Sequence, residues 1–275
     1  MRIFSPSRKS IIYSKINSVI LFYSMSKYFQ ARWQLKDLVL VLTVTILLLV
    51  LVDAAIYYSG LRDYYANLIA TGEGAWVKEL IILGLYFIQS IILLIPLSVL
   101  VIKKYKWKWK EFGFNRFKPF QHLGLALLGY LFYVGVSLMI AALIVFGGIK
   151  IPGYQIPEPT LPLFGETGLA ITIAAIVIIG IAPILEELFF RGFILQGLVN
   201  KIGPYFGAVL TALLFAIVHL QFASFIPIFI LSLILSILFI RSKSIWPCII
   251  FHLINNAVAF MIELLMIKGV IPLDF

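Results

Sequence analysis

The sequence predicts an all-α fold, a polytopic bundle of about seven transmembrane helices. Of the 275 residues, 62% are hydrophobic and only 12% are charged, which is about half the charge of a typical soluble domain. The apolar residues are also gathered into runs of about 20, the length that crosses a bilayer as a helix. The predicted spans cover residues 38–58, 80–102, 123–146, 169–200, 204–220, 225–240 and 245–266.

Residues 1–37 precede the first span and are expected to form a basic arm in the cytosol or at the membrane interface. The apolar patch in this arm, residues 19–23, is too short to cross a bilayer. No small-residue cleavage site precedes the first span, so a secretory signal is not favoured, and Met25 is an alternative start. Residues 38–275 contain no Gly/Ser linker and no internal repeat, which predicts a single polytopic membrane domain.

The spans differ in ways that predict local structure. The first contains Asp53, a lone acid near a span end that is expected to reach the interface. The second contains Pro96, which predicts a kink. The fourth, if helical to residue 200, is longer than one bilayer crossing and must tilt, kink or project. The fifth and sixth are separated by a short break, which predicts a tight helical hairpin.

The distribution of cations predicts the orientation of the chain. The formal net charge is +10, and most Lys and Arg residues lie in alternate connectors between spans. The positive-inside rule therefore predicts a cytosolic N-terminus and a C-terminus on the far side. Residues 103–114 interleave Lys with aromatic residues, which suits single-stranded nucleic acid but equally suits lipid headgroups beside a span. We expect membrane lipids as partners and no nucleic acid.

The fourth span contains two adjacent acids and an arginine in an otherwise apolar run. Ionisable groups at membrane depth are costly and usually face a bundle interior or a watered cavity. Glu187 and Arg191 are four residues apart and share a helix face, whereas Glu186 is rotated by about 100°. We therefore expect one paired acid and one free acid. Pro183 removes a backbone donor just before them, which predicts a bend and an open carbonyl.

Further polar residues occur at matched depth in the fifth and seventh spans. Counted from the cytosolic ends at 1.5 Å per residue, Glu186, His219, His252 and Asn256 lie roughly 14 to 22 Å deep. His252 and Asn256 are four residues apart and share a face. Phe215 precedes His219 by one turn. Their joint occurrence in one layer favours a site.

Each of these residues also has a structural interpretation. Glu187 with Arg191 is a simple ion pair, a buried histidine is usually a satisfied structural residue, and Phe215 is core packing. Asn256 could only join helices, as amides do in bilayers. Asn255 lies on a different face and is expected to be structural.

The chemistry available to such a site is limited. No serine or cysteine lies in a recognisable nucleophile context, and no His-Glu-x-x-His motif is present. The single cysteine, Cys248, lies in a predicted span, so no intrachain disulfide can form. Activated water remains: Glu186 hydrogen-bonded to His219 would deprotonate it, and His252 with Asn256 would stabilise an oxyanion.

Zinc is the alternative for the same residues. Glu186, His219 and His252 form a ligand set known from catalytic zinc sites. The two histidines lie on separate helices, however, and Asn is a poor zinc ligand. We therefore predict that the reaction needs no cofactor.

Three ordered motifs resemble those of the CPBP family, which comprises type II CAAX prenyl proteases and bacteriocin-processing or immunity-related (Abi-like) membrane proteins. They are Glu-Glu-x-x-x-Arg at residues 186–191, Phe-x-x-x-His at residues 215–219 and His-x-x-x-Asn at residues 252–256. The resemblance covers about residues 165–265, in the last four helices, and residues 109–114 resemble a segment often seen upstream.

The resemblance implies a glutamate-dependent intramembrane endopeptidase. In it Glu186 and His219 would activate water and His252 with Asn256 would form the oxyanion hole. The supporting residues would be Glu187, Arg191 and Phe215. The expected substrate is a membrane-associated protein, such as a prenylated CAAX protein, or a leader peptide. Three alternatives stay open: a zinc-dependent protease, a non-catalytic immunity or scaffold protein that keeps the site, and a transporter, which the lack of an inverted repeat disfavours.

Overall fold

The computed structural model describes residues 31–71, 75–106, 108–148, 161, 164, 167–221 and 223–271. The predicted arm, residues 1–37, lies mostly outside these residues, as does most of the stretch 149–166 before the fourth predicted span. The regular elements of the described stretches are all helices, which confirms the all-α class. They are α1 (Leu35–Tyr58), α2 (Leu61–Thr71), α3 (Ala75–Leu97, continued by a π-helix at Ser98–Lys103), a 3₁₀ turn (Trp109–Phe112), α4 (Pro119–Phe146), α5 (Gly168–Ile202), α6 (Pro204–Val218), α7 (Phe225–Ser242) and α8 (Trp246–Ile267).

Six of these helices are long and apolar enough to cross a membrane, namely α1, α4, α5, α7, α8 and the segment Val77–Lys103 of α3. The predicted fifth span is the exception: it corresponds to α6, which has 15 residues. At 1.5 Å per residue α6 is about 22 Å long, shorter than the roughly 30 Å of bilayer hydrocarbon. The prediction of about seven spans is therefore confirmed in outline, with six helices long and apolar enough to span and the fifth predicted span a shorter apolar helix.

Helix α5 occupies the centre of the bundle. It is 35 residues long, and its residues 187–199 are buried on every side. A helix that is apolar all round is expected in such a position. Within α5, π-helical turns at Ile176–Ile181 and Leu188–Leu195 flank a short α-helical stretch, Ala182–Glu187. π-bulges within α-helices are frequent at functional sites.

The segment that follows α3 packs into the bundle instead of lying wholly among headgroups. Phe112 is fully buried, and its ring lies against Gly192 of α5. Gly113 has a left-handed backbone (φ 97°) and its carbonyl accepts a hydrogen bond from the backbone N–H of Ile245. Trp109 remains 58% exposed. This segment therefore joins α5 to the start of α8, a packing role that the prediction of a headgroup belt did not include.

A charged cluster ties α1 to the end of α3 at the same end of the bundle. The buried carboxylate of Asp37 accepts hydrogen bonds from the Lys104 ammonium (2.6 Å) and the Tyr105 hydroxyl (2.5 Å). The hydrogen bond to Asp37 raises the pKa of Lys104 above its ordinary value. Asp53, near the other end of α1, is exposed.

A second, smaller apolar cluster lies around the N-terminal part of α5. It consists of Leu161, Phe164, Ala174 and Phe260, with partly buried neighbours that include Tyr86. Two carboxylates hold the chain before α5 against this cluster. Glu263 accepts a hydrogen bond from the Leu161 backbone N–H (2.5 Å), and Glu79 accepts one from the Thr167 hydroxyl.

The close crossing of α5 and α6 sets the position of the α6 residues. A Cβ added to Gly207 would lie 2.9 Å from the backbone nitrogen of Val199, which cannot move aside as a side chain can. We expect Gly207→Ala to lower the free energy of unfolding by about 1–3 kcal/mol, the cost of overpacking a filled interior. Denaturation in mixed micelles measures this.

Gly124→Ala is the matched control, because nothing lies within 4 Å of a Cβ at that helical position. It should leave stability unchanged or raise it by up to about 1 kcal/mol, the difference in helix propensity. Equal effects of the two substitutions would contradict the close crossing.

Candidate active site

Arg191 and Glu187 form a fully buried ion pair at the centre of the bundle. The Arg191 Nη1 donates to Glu187 Oε1 at 2.8 Å, and both side chains are 0% exposed. This confirms the pairing predicted from their spacing. The Nη2 of the same guanidinium donates to the hydroxyl (2.9 Å) and the carbonyl oxygen (3.2 Å) of Ser232 on α7. The pair is thereby fixed to a second helix.

Glu186, the other acid, points in a different direction. Its side chain is 23% exposed, and its Oε2 lies 3.8 Å from Nε2 of His252. That distance exceeds a hydrogen bond, and a gap of this size between polar atoms suits a bridging water. Within the described residues Glu186 makes no hydrogen bond. As predicted, one acid is paired and the other is free.

His252 lies between the two acids. Its Nδ1 is 2.8 Å from Glu187 Oε1, and the residue is 4% exposed. An ionised carboxylate can only accept, so Nδ1 carries the proton and donates it to Glu187. The other ring nitrogen, Nε2, then faces Glu186. Glu187 therefore sets which nitrogen of His252 faces the free acid, a role that the sequence did not reveal.

His219 ends helix α6. Its Nδ1 is 2.6 Å from the carbonyl oxygen of Phe215, and a carbonyl only accepts, so Nδ1 is the protonated nitrogen. The last carbonyls of a helix lack partners within it, and the His219 ring satisfies one of them. The expected direct hydrogen bond between Glu186 and His219 is not formed between these two described residues. The Nε2 of His219 is left as an acceptor.

Phe215 connects the parts of this site. Its ring centroid is 4.5 Å from that of His219 and 5.9 Å from that of His252. The Arg191 guanidinium carbon lies 4.8 Å from the same centroid, within cation–π range. Phe215 is 1% exposed, so it is core packing as predicted. The rings of both histidines and the Arg191 guanidinium also lie next to the Phe215 ring.

Asn256 faces the first π-helical turn of α5. Its Nδ2 donates to the carbonyl oxygen of Ile178 at 2.9 Å. At π-helical spacing that carbonyl would accept from residue 183, which is a proline and has no N–H. Pro183 thus leaves the Ile178 carbonyl without a backbone donor, as predicted, and the Asn256 side chain donates to that carbonyl instead. Asn255 donates to the Asn256 Oδ1 at 3.3 Å, a supporting contact.

The structure therefore gathers most of the predicted residues around one point. Glu186 and Glu187 flank His252, and Phe215 joins His252 to His219. Sequence reasoning missed Ser232. The signal was available, because Ser232 and Ser236 are hydroxyls four residues apart in the otherwise apolar run of α7, and both are 0% exposed.

The donor set does not fit a zinc ion as it stands. Each histidine has its Nδ1 engaged, His219 with a carbonyl and His252 with Glu187, which leaves each Nε2 available, so the distances between the groups decide the fit. Among the described residues, no group of three His, Cys, Asp or Glu side chains is close enough to hold a metal. Glu186, His219 and His252 would have to move together before they could act as zinc ligands.

Comparison with known proteins bears on this site. Residues 168–258 match the family model described as Type II CAAX prenyl endopeptidase Rce1-like. The chain is also 30% identical over 84 residues to the "Putative membrane peptidase YdiL" of Bacillus subtilis (strain 168). That match covers 30% of this chain and 34% of the relative, so it spans about a third of the length of either protein. No solved structure matches the chain.

The fold and the site define a polytopic membrane protein with a carboxylate–histidine centre inside a helical bundle. The matched residues run from the start of α5 into α8 and contain all three motifs. The comparisons thus confirm the family resemblance that the motifs predicted: residues 168–258 resemble the Type II CAAX prenyl endopeptidase Rce1-like family, and part of the chain resembles a putative membrane peptidase.

Proposed function

We infer that this protein is an intramembrane endopeptidase that hydrolyses a peptide bond of a membrane-associated protein with activated water. The observation that carries this conclusion is the contrast between the two adjacent acids. Glu187 is buried and paired, whereas Glu186 is partly exposed, has no hydrogen-bond partner among the described residues and lies 3.8 Å from His252 Nε2. A free carboxylate beside an imidazole at membrane depth is an arrangement that structural needs alone do not require.

Water activation is the first step of the proposed reaction. Glu186 takes a proton from a water molecule that the Nε2 of His219 orients by accepting its other hydrogen. The water oxygen forms a bond to the carbonyl carbon of the substrate, and the carbonyl oxygen becomes an oxyanion. Glu186 then gives its proton to the leaving amine as the C–N bond breaks. No covalent enzyme intermediate is needed.

The oxyanion would be stabilised by His252 and Asn256. An amide Nδ2 has two hydrogens, and only one of those on Asn256 is used by the Ile178 carbonyl. The Nε2 of His252, which lies 3.8 Å from Glu186, would donate to the oxyanion when it carries a proton. Preorganised donors of this kind commonly stabilise the transition state of acyl transfer more than any other group in the site.

The substrate class follows from the location of the site. The polar residues lie inside a bundle of apolar helices, so the scissile bond must reach membrane depth. We propose a membrane-associated protein, such as a prenylated CAAX protein, or a leader peptide. We also propose that the N-terminus is cytosolic and the C-terminus lies on the far side, because the cations are distributed as the positive-inside rule requires.

The proposed function is tested with purified protein in proteoliposomes, incubated with prenylated and unprenylated membrane-anchored peptides. Mass spectrometry should detect two new termini from one cleavage. Since the described donor set does not fit zinc, treatment with a chelator should leave the rate unchanged, and added zinc should not raise it. Loss of activity on chelation with recovery on zinc would contradict the metal-free mechanism. Absence of cleavage for every peptide would favour a binding or immunity role.

A further inference from the structure

We propose that Ser232 is a positioning residue for this hydrolysis, acting through Arg191 and Glu187 on His252. This inference rests on the proposed function and extends it to a residue outside the three motifs. Ser232 lies on α7, a helix that carries none of the motif residues, and it is 0% exposed.

The contacts form one continuous chain. The Nη2 of Arg191 donates hydrogen bonds to the hydroxyl and the carbonyl oxygen of Ser232. The Nη1 of that guanidinium then donates to Glu187 Oε1 at 2.8 Å. The same Glu187 oxygen accepts from Nδ1 of His252, also at 2.8 Å. Every group in the chain is buried, so water does not replace any of these partners.

Two atoms of these hydrogen-bonded side chains have no partner within the described part of the protein, and they make a competing arrangement possible. They are Nε of Arg191 and Oε2 of Glu187. Arginine and carboxylate groups commonly pair through two parallel hydrogen bonds. A guanidinium released from Ser232 could turn to meet both Glu187 oxygens and so weaken the Glu187–His252 bond. Ser232 prevents this rotation.

The consequence for chemistry is the identity of the protonated nitrogen on His252. Hydrogen bonding at one ring nitrogen of a histidine determines the role of the other. While Glu187 holds Nδ1–H, the ring presents Nε2 toward Glu186. If Glu187 turns to Arg191, His252 can exchange tautomers and rotate. Ser232 therefore acts on the reaction step and not on substrate binding.

Ser236 provides a matched control on the same helix. It is four residues from Ser232 and equally buried, but its hydroxyl has no hydrogen-bond partner among the described residues. We expect Ser232→Ala to lower kcat roughly tenfold with KM unchanged, the effect of losing a hydrogen bond to a charged group. Ser236→Ala should leave both constants at the wild-type values. Ser232→Thr, which keeps the hydroxyl, should restore most of kcat.

A second measurement reads His252 directly and does not depend on turnover. The chain has three histidines, so ring ¹⁵N NMR of the full protein in nanodiscs is simple to assign, with His252→Gln identifying the relevant signals. Wild type and Ser236→Ala should show a protonated Nδ1 on His252. Ser232→Ala should add a population with unprotonated Nδ1. If Ser232→Ala does not accumulate in membranes, Ser232→Cys, a weaker hydrogen-bonding group, gives the same comparison.

The two measurements separate the two claims. If wild type cleaves peptides and Ser232→Ala has the wild-type kcat and His252 spectrum, the role of Ser232 is refuted and the protease remains. If no peptide is cleaved but the His252 tautomer shifts in Ser232→Ala alone, the positioning chain stands and the protease is refuted.

Discussion

Replacing Glu186 by Gln is expected to lower kcat by about 10³- to 10⁴-fold, the upper range for loss of a general base. Glutamine has the shape of glutamate but cannot accept the proton of water at neutral pH. The side chain is partly exposed and makes no hydrogen bond within the described residues, so the substitution should not disturb the fold. Initial rates of peptide cleavage in proteoliposomes measure the effect.

The control for this variant is its stability. Denaturation in mixed micelles should give a free energy of unfolding within about 0.5 kcal/mol of wild type, as for substitutions away from packed or paired groups. A Glu186→Gln protein that is folded and still cleaves peptides at the wild-type rate would assign the base to another residue.

Replacing Arg191 by Met is expected to give the largest loss of stability. Arg191 and Glu187 are both fully buried, and removal of one partner leaves an uncompensated charge that costs about 3–5 kcal/mol. Among the described residues, His252 would remain as the hydrogen-bond partner of the Glu187 carboxylate. Unfolding in mixed micelles, followed by tryptophan fluorescence, measures the change.

A double variant distinguishes lost charge pairing from lost volume. With Glu187→Leu and Arg191→Met combined, the two charges are removed together, and buried pairs replaced in this way are often neutral or more stable. We expect the double variant to recover most of the stability while remaining inactive, because His252 has lost its partner. A double variant as unstable as Arg191→Met alone would show that packing, and not charge, is decisive.

Much of the fold could be predicted because hydrophobic length and helical spacing act locally. Apolar runs predicted about seven spans, which include all six helices long enough to cross a membrane, and the separation of four residues between Glu187 and Arg191 predicted their ion pair. The predicted fifth span, residues 204–220, extends two residues beyond the end of α6 at Val218. The helix ends where Leu220 adopts a left-handed backbone (φ 52°), which composition does not reveal.

The partners across helices could not be predicted, because they depend on helix rotation and on backbone irregularities. Two π-helical turns in α5 change the direction of its side chains, and no sequence pattern predicted these turns. As a result His252 bonds Glu187 while facing Glu186, and Asn256 bonds the Ile178 carbonyl. Pro183 was the one local signal that a carbonyl would be open.

The burial of Phe112 depended on a distant glycine. Phe112 follows a run in which lysines alternate with aromatic residues, a pattern typical of a headgroup belt, so the sequence around it favoured the membrane surface. A Cβ at Gly192 would lie 3.1 Å from the Phe112 ring, which shows how closely the ring approaches α5. That contact joins residues 80 positions apart and has no local signature.

An experimental structure with a peptide phosphinate bound, determined in nanodiscs, would test the central claim most directly, since this group mimics the tetrahedral intermediate of hydrolysis. We predict one phosphinate oxygen within hydrogen-bond distance of Glu186 and the other near His252 and Asn256. A phosphinate bound away from these residues, or a Glu186 side chain turned to lipid, would contradict hydrolysis at this site.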